Sequence, residues 1–212
     1  MKTLNLNIKN MVCVRCIVVV HNELESLGAF VSSIRIGYAT IEAPESVTKC
    51  IIADRLKTFG LELLEDKEEV LIEQIKLGTQ QYIKKLEDLS IKMTLSDFLA
   101  HDIGKNYNFL SKHFSKSESI TIESYYINKR LDRVRELIKY DELNLGEIAI
   151  KLGYSSVHYL SNQFKRVAGL SVSEYKAEMR NEQHFNNSIS PSLLVLRGKG
   201  YNNNFNKQRR VS

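Results

Sequence analysis

Proline and cysteine are scarce in this chain of 212 residues, which contains 2 prolines, 3 cysteines and no tryptophan. Few prolines permit long helices, and so few cysteines argue against a disulfide-stapled secreted fold. No apolar run approaches the length of about 18 residues that a transmembrane helix needs, and no signal peptide is recognisable. The composition therefore predicts a largely helical, soluble and cytoplasmic protein.

The motifs of the common enzyme classes are also missing. The chain has no phosphate-binding glycine loop, no dinucleotide fingerprint, and no catalytic triad or paired-carboxylate site that we can place. The net charge is +5, and residues 182–212 supply most of it with 5 basic and 1 acidic side chains. We predict a protein that is not an enzyme, with a disordered basic tail over residues 182–212.

What the chain does contain is an internal repeat in its second half. The segment 98–125 returns as 147–175, at an offset of 49 residues at the start and 50 residues from Leu110 and Leu160 onward. Two copies are too few for a solenoid, which needs about three or more repeats. The sequence therefore indicates one small helical unit that is used twice.

Each copy has the form of a helix-turn-helix. A short helix, Leu95–Asp102 or Leu145–Lys151, ends near Gly104 or Gly153. Glycine at such a site supplies the left-handed conformation that closes a helix and redirects the chain. Polar residues then open a second helix, in which Leu and Phe recur four residues apart on one face. This unit is typical of DNA-binding proteins, although a generic helical hairpin has the same pattern.

The residues between these apolar positions carry a family resemblance. Residues 91–179 resemble the DNA-binding domain of the AraC/XylS regulators, in which a long helix joins two helix-turn-helix subdomains. The signature covers Asn144–Ser171, and Arg130–Ile138 matches the joining helix. Two positions depart from the pattern, because Ser119 replaces a usual glycine and Val172 replaces a usual proline.

The resemblance implies which residues contact DNA. The matching positions of the two recognition helices are Tyr107, Asn108, Ser111 and Lys112 in the first, and Val157, His158, Ser161 and Asn162 in the second, with Lys165 near a phosphate. Their spacing places each set opposite the Leu and Phe anchors. Asparagine pairs with adenine, and Ser, His and Lys donate in the groove or to phosphate. Double-stranded DNA is the predicted partner.

The joining helix carries a cluster of basic residues. Lys129, Arg130, Arg133 and Arg135 offer the local positive charge that phosphate attraction requires, since residues 93–181 carry only 13 basic against 11 acidic side chains. The alternative is an ordinary solvated helix face, in which acidic neighbours such as Asp132 pair with these cations.

The first 66 residues form a different unit. Alternating apolar and polar residues predict a first strand. A helix from about Cys16, a hairpin that turns at Gly37, a second helix capped by Ser46 and a last strand follow, in the order β-α-β-β-α-β. That order predicts an α+β, ferredoxin-like domain over residues 1–66, followed by an all-α C-terminal domain of two helix-turn-helix subdomains. With Met11, Cys13 and Cys16 at the first strand-to-helix junction, residues 2–66 resemble the heavy-metal-associated domain of copper chaperones and metal-pumping ATPases.

The resemblance makes Cys13 and Cys16 candidate ligands for Cu(I) or Zn(II). A helix N-terminus and the neighbouring Arg15 stabilise thiolates, and soft ions prefer sulfur ligands. Asn10 and Val12 depart from the family pattern, and the charge of Arg15 opposes a bound cation. Metal binding, thiol sensing and a vestigial loop therefore remain open.

Residues 67–90 are predicted to form a linker helix between the unit 1–66 and the DNA-binding unit 91–181. Its narrow apolar seam includes Ile75 and Tyr82 and is interrupted at Gly78, a candidate hinge. The seam packs against its own chain or forms a homodimer. Cys50 is predicted to be buried and His21 exposed. We predict a sequence-specific transcription regulator; the alternatives are a soft-metal-binding, chaperone-like module and a thiol oxidoreductase.

Overall fold

The protein is described by a computed structural model that covers the backbone of residues 1–188 and the side chains of residues 1–180. Its N-terminal part is a small sheet with two helices, and the remainder is helical. The predicted tail begins inside the last helix, which continues to Ser188. The rest of that prediction, residues 189–212, lies outside the described residues.

The N-terminal part contains six elements, and their predicted order is confirmed. They are β1 (Lys2–Lys9), α1 (Val14–Ser26), β2 (Phe30–Arg35), β3 (Tyr38–Ala43), α2 (Lys49–Lys57) and β4 (Glu62–Leu64). The strands lie in the order β2-β3-β1-β4, and every neighbouring pair is antiparallel. Strand β3 therefore separates β1 from β2, which helix α1 connects.

Alternation along β1 determines which face of this sheet is buried. Leu6 and Ile8 are almost fully buried, and they pack with Val20 and Leu24 of α1 and with Ile52 of α2. Because side chains alternate across a strand, the polar residues of β1 point to the opposite face. Both helices thus cover a single face of the sheet, as expected for an α+β domain.

Three local predictions for this part were wrong. Helix α1 begins at Val14, two residues before the predicted start at Cys16, so Cys13 occupies the N-cap position. Thr48, rather than Ser46, caps α2 by accepting a hydrogen bond from the Ile51 N–H at 3.4 Å. Cys50 is exposed and not buried, because it lies on the outer side of α2, whose inner side presents Ile52 and Leu56.

Helix α3 (Lys67–Glu87) follows β4 at once. Asp66 caps it by accepting from the backbone N–H groups of Glu68 and Glu69 at 2.8 and 2.9 Å. Helix α3 runs through Gly78, the candidate hinge, without a break. A Cβ atom at Gly78 would lie 2.8 Å from Leu99 Cδ2, so the glycine permits close packing of the next helix.

Six further helices complete the described chain. They are α4 (Leu95–Ile103), α5 (Tyr107–Glu118), α6 (Ile122–Tyr140), α7 (Leu145–Lys151), α8 (Val157–Ala168) and α9 (Val172–Ser188). The pair α4–α5 packs on α3 around one apolar cluster, and the pair α7–α8 packs on α6 around a second. Helix α6 joins the two pairs, as the sequence predicts.

The apolar seam of α3 is used within its own chain. Ile75 is fully buried in the same cluster as Leu99, Leu110 and Phe114, and Tyr82 is 7% exposed. This seam is therefore not available to a second copy, and the predicted homodimer through the linker helix is not supported. No helix in the described part of the chain is both long enough and apolar enough to cross a lipid bilayer.

Candidate nucleic-acid interface

The first candidate recognition helix is α5, and its local sequence fixes where it begins. The Asn106 side chain accepts from the Asn108 N–H at 2.9 Å, which satisfies one of the free donors at the helix start. Leu110 and Phe114, four residues apart, are completely buried. Through these two residues, one side of α5 packs against α3 and α4, and the opposite side faces outward.

Helix α8 repeats this construction. Its N-cap is Ser156, whose hydroxyl oxygen accepts from the Tyr159 N–H at 3.1 Å. Leu160 and Phe164 are completely buried, like their counterparts in α5. The helix ends at Gly169, whose φ of 82° is the left-handed conformation that favours glycine.

The structure places most of the predicted DNA contacts on the outward sides of these helices. Six of them are exposed and two are half-buried: Asn108, Lys112, Val157, His158, Asn162 and Lys165 are exposed, and Ser111 and Ser161 are half-buried. Within the described residues, Lys112 and Lys165 have no carboxylate at ion-pair distance. Both ammonium groups are therefore available to an external anion such as phosphate.

Tyr107 has a partner inside the protein. Its hydroxyl donates to Glu123 Oε1 of α6 at 2.5 Å. Burial, followed by this hydrogen bond, raises the pKa of Tyr107, while the same bond lowers the pKa of Glu123. The phenol thus stays protonated, and its hydrogen bond connects the start of α5 to α6. Tyr107 is half-buried, so less of its side chain is open to DNA than that of the neighbouring exposed Asn108.

Sequence reasoning missed four exposed side chains beside the predicted contacts. Lys116 and Arg166 are exposed and lie one turn after Lys112 and Asn162. The aromatic residues Phe109 and Tyr159, 44% and 52% exposed, occupy equivalent places in the two helices. The offset of 50 residues that aligns the copies was the signal that could have revealed this aromatic pair.

The predicted phosphate-attracting cluster on α6 is not free to act in that way. Arg133 donates to both carboxylate oxygens of Glu87, at 2.7 and 2.9 Å, and also to Glu136. Arg135 donates to Asp132 at 2.7 Å. The pairing alternative is therefore the correct interpretation of these arginines. Their partners reduce the attraction that they exert on phosphate.

The other two members of the cluster also have partners. Lys129 lies 3.7 Å from Asp132 Oδ2. Arg130 is 8% exposed, and its Nε donates to the Leu152 carbonyl oxygen at 2.8 Å. It is a buried structural residue that connects α6 to the turn of the second helix-turn-helix. This cluster on α6 therefore offers little unpaired positive charge to DNA.

The N-terminal part brings its two predicted ligands together. Cys13 Sγ and Cys16 Sγ are 3.4 Å apart at the start of α1. The Cys16 backbone N–H and thiol, followed by Arg15, lower the pKa of the Cys13 thiol. Among the described side chains, no group of three or more His, Cys, Asp or Glu residues could hold a metal ion. His21 is half-buried and lies 3.5 Å from Glu25.

A groove connects the cysteine loop with the helical domain. Its volume is about 510 Å³, and it is lined by Val12, by Ile83 and Glu87 of α3, and by Lys129 and Arg133 of α6, among other residues. Val12 immediately precedes Cys13. The loop that carries the thiols therefore borders both the linker helix and the helix that joins the two helix-turn-helix units.

Comparison with known proteins identifies part of this architecture. Residues 99–178 match the helix-turn-helix domain family. This range contains both α4–α5 and α7–α8, apart from the beginning of α4. Together with the repeated geometry, the match shows that residues 99–178 carry a helix-turn-helix domain.

The relatives that this chain resembles are regulatory proteins. The Msm operon regulatory protein of Streptococcus mutans is 26% identical over 140 residues, which are 64% of this chain and 50% of that protein. The regulatory protein PocR of Salmonella typhimurium is 26% identical over 96 residues, or 45% of this chain and 31% of that protein. The chain thus spans half the length of the Msm operon regulatory protein and less than half the length of PocR.

One solved structure aligns with part of this chain. The C-terminal domain of AraT, a response regulator from Geobacillus stearothermophilus, is 21% identical to this chain. The superposition covers 53% of this chain and 88% of that domain, with a TM-score of 0.46.

Proposed function

We propose that this chain is a sequence-specific, DNA-binding transcription regulator that reads double-stranded DNA with α5 and α8. The observation that carries the proposal is the pair of outward helix faces, built on the same buried anchors and joined by α6. The regulatory relatives support the same conclusion. A major groove is about 12 Å wide and admits one helix, so two recognition helices suit two successive segments of groove.

The two faces assign roles to individual residues. Asn162 and Asn108 are positioned to pair with base edges, and Val157 to contact a thymine methyl group. Lys165 and Lys112 act on phosphate, where a cation sets affinity but reads no sequence. His158 and the half-buried Ser111 and Ser161 complete the two faces.

A binding selection tests this function directly. The full chain is incubated with a pool of random duplexes, and the enriched sequences are compared by mobility shift at fixed salt. We expect enrichment of a sequence that spans two groove segments. Lys165→Ala should weaken binding to all sequences alike and lower the salt-dependence slope by about 1. Equal affinity of the unmodified protein for every duplex would reject the proposal.

The domain division belongs to the same proposal. Residues 1–66 form a ferredoxin-like domain, residues 67–90 the linker helix, and residues 91–181 the DNA-binding domain. The sheet order β2-β3-β1-β4, with β3 between the two strands that α1 connects, supports the first assignment. The heavy-metal-associated domain is the specific family that the position of the cysteine pair supports.

A second function, supported by one specific observation, is a response of the N-terminal domain to soft metal or thiol oxidation. Two sulfur atoms 3.4 Å apart at a helix start, with the pKa of Cys13 lowered, form a site for ligation or for disulfide formation. Cu(I) prefers such soft ligands, whereas Zn(II) takes four ligands and the pair supplies two. The groove beside Val12 supports transmission of this state to α3 and α6.

The response to metal or oxidation is tested with the duplex that the binding selection enriches. Operator affinity is measured for reduced protein, for protein loaded with Cu(I) or Zn(II), and for protein oxidised by a disulfide reagent. We expect a several-fold change, within the usual range of about 1–3 kcal/mol for coupled sites. The double variant Cys13→Ser/Cys16→Ser should not respond. The matched control is Cys50→Ser, which removes an exposed cysteine elsewhere and should respond normally.

The outcomes of this experiment separate the ideas. Stoichiometric metal binding with unchanged DNA affinity would retain the site and reject the response. No metal binding and no oxidation at Cys13 and Cys16 would reject both. Neither result bears on DNA reading by α5 and α8.

A further inference from the structure

Two of the few buried polar side chains of the described protein lie near the same tyrosine. Arg130 of α6 is 8% exposed, Gln163 of α8 is 5% exposed, and Tyr154, in the turn between α7 and α8, is 7% exposed. Burying a polar group costs free energy unless it is hydrogen-bonded. The contacts of these three residues therefore define what they stabilise.

Arg130 holds the turn of the second helix-turn-helix. Its Nε donates to the carbonyl oxygen of Leu152, the C-cap residue of α7, at 2.8 Å. Its guanidinium carbon lies 3.5 Å from the centre of the Tyr154 ring. A cation beside the carbonyl end of a helix is stabilised by the helix dipole, and one above an aromatic face is stabilised by the ring.

Tyr154 extends this contact to the recognition helix. Its hydroxyl donates to Gln163 Oε1 at 3.1 Å, and both residues are buried. Burial raises the pKa of Tyr154 to about 12, although Arg130 acts in the opposite direction. The hydroxyl therefore remains a donor at neutral pH. Gln163 is adjacent in sequence to Asn162, one of the proposed base-reading residues.

We propose that Arg130, Tyr154 and Gln163 form a positioning relay that sets the orientation of α8 on α6 and thereby controls which bases the second recognition helix prefers. This inference rests on the proposed function, since it concerns how α8 reads DNA. The three residues are positioning residues and do not themselves touch the bases. Rotation of a recognition helix by a few degrees moves an Asn162 amide out of bidentate geometry, which needs two aligned hydrogen bonds.

The relay belongs to the second copy alone. The residue equivalent to Gln163 in the first copy is His113, 50 positions earlier. Its Nδ1 lies 3.5 Å from Glu68 Oε1 of α3, and its ring contacts that of Phe109 at an angle of 45°, with the centroids 4.3 Å apart. Disruption of the relay should therefore alter base preference in the segment read by α8 and leave the segment read by α5 unchanged.

The test uses the full chain and the base-preference profile of the binding selection. Asn108→Ala and Asn162→Ala first assign each half of the bound sequence to α5 or α8. Tyr154→Phe then removes the donor to Gln163 but keeps the ring beneath Arg130. Arg130→Met removes the charge and keeps an unbranched side chain. Arg133→Met is the matched control, because it makes the same change on α6 at a residue that pairs with Glu87.

We expect Tyr154→Phe and Arg130→Met to lower the preference in the α8 half by about 3- to 10-fold, the range of one lost hydrogen bond. Arg133→Met should leave the profile of that half unchanged. Profiles are recorded below the melting transition of each variant; if Arg130→Met does not fold, Tyr154→Phe carries the test. The double variant Tyr154→Phe/Gln163→Leu should lose no more preference than Tyr154→Phe.

Two results would overturn the relay. One is an equal relaxation of both halves of the profile, which would indicate general loosening of the domain. The other is an unchanged α8 half in folded Tyr154→Phe protein. An unmodified protein without any base preference would reject the proposed function as well, so the two failures are distinguishable.

Discussion

The two helix-turn-helix copies share their buried Leu and Phe residues, but they make different polar contacts with the neighbouring helices. Leu110 and Phe114 in the first copy, and Leu160 and Phe164 in the second, are all completely buried. Around these anchors the copies diverge. The first helix is held near charged side chains of α3 and α6, whereas the second is held by buried hydrogen bonds from α6 through the turn.

The polar contact of α5 with α6 depends on a carboxylate. Tyr107 donates to Glu123 at 2.5 Å, whereas the buried Nδ1 of His113, 3.5 Å from Glu68 of α3, makes no hydrogen bond among the described residues. The contact of α8 from Tyr154 to Gln163 contains no ionised group. The two copies therefore share their apolar packing. Their polar contacts differ, because each copy lies next to different helices of the protein.

The ends of the two recognition helices differ as well. Helix α8 ends at Gly169 with φ at 82°, and α5 ends at Ser119 with φ at 59°. Both residues adopt the left-handed conformation, but only glycine does so without steric cost. The sequence departure at Ser119 is thus a point of backbone strain in the first copy.

The largest expected effect tests whether the two scaffolds are equivalent. Phe164→Ala and Phe114→Ala should each lower the free energy of unfolding by about 3–5 kcal/mol, because each removes a fully buried ring and leaves a cavity. Urea denaturation followed by circular dichroism measures both. A loss in one variant more than twice that in the other would show that the copies do not share a scaffold.

The next effect concerns base reading. Asn162→Ala should weaken binding to the selected duplex by about 1–3 kcal/mol and relax one or two base positions. Asn128→Ala, an exposed position on α6 outside both recognition helices, is the control and should bind normally. If Asn162→Ala lowered affinity for all sequences to the same extent, the base-reading role of Asn162 would be wrong.

A smaller effect distinguishes the Tyr107–Glu123 hydrogen bond from the Tyr154–Gln163 hydrogen bond by its dependence on pH. Tyr107→Phe and Tyr154→Phe should each cost about 1 kcal/mol of unfolding free energy at neutral pH, the value of one hydrogen bond. The Tyr107 bond lowers the pKa of Glu123, so its stabilisation is present above the ordinary carboxyl pKa of about 4.3 and is lost as the pH falls through the lower folded value.

The difference between unmodified protein and Tyr107→Phe should therefore shrink in acid. The difference for Tyr154→Phe should stay constant over the same range, since neither Tyr154 nor Gln163 titrates there. Urea denaturation at a series of pH values from neutral to acid measures both differences. Parallel curves for the two variants would contradict the distinction between the copies.

The smallest effect lies at the helix ends. Ser119→Gly should raise stability by about 0.5–1 kcal/mol, because relief of a left-handed serine, about 1–2 kcal/mol, exceeds the entropy cost of glycine. The reciprocal change Gly169→Ser should lower stability by a similar amount. Thermal unfolding detects both, and destabilisation by Ser119→Gly would show that the serine makes a compensating contact.

Much of the fold follows from local sequence patterns. The repeat, the Leu and Phe anchors and the turn at Gly104 are short-range features, and they predicted α4, α5, α7 and α8 correctly. The alternation in β1 and the turn at Gly37 predicted the order of elements in the N-terminal part. Helix starts were predicted less accurately, since Thr48 and Ser46 are both acceptable caps and the structure uses Thr48.

The candidate site could be predicted only in part. Side-chain spacing placed Asn162 and Lys165 on an outward face, because helical periodicity is fixed by backbone geometry. Helical spacing could not predict that Arg133 pairs with Glu87. Its partner Glu87 is 46 positions away in sequence, and nothing local indicates that α3 and α6 bring the two side chains together.

The sequence by itself thus determined the helices, their buried sides and the duplicated recognition unit, because these depend on interactions between near neighbours along the chain. Tertiary structure alone decided which polar groups remain free. It joined Arg133 to Glu87 and Tyr107 to Glu123, placed Gly78 against Leu99 and left Cys50 exposed. Those outcomes depend on which distant elements become neighbours, and hydrogen bonds and ion pairs form only where folding brings donor and acceptor within about 3 Å.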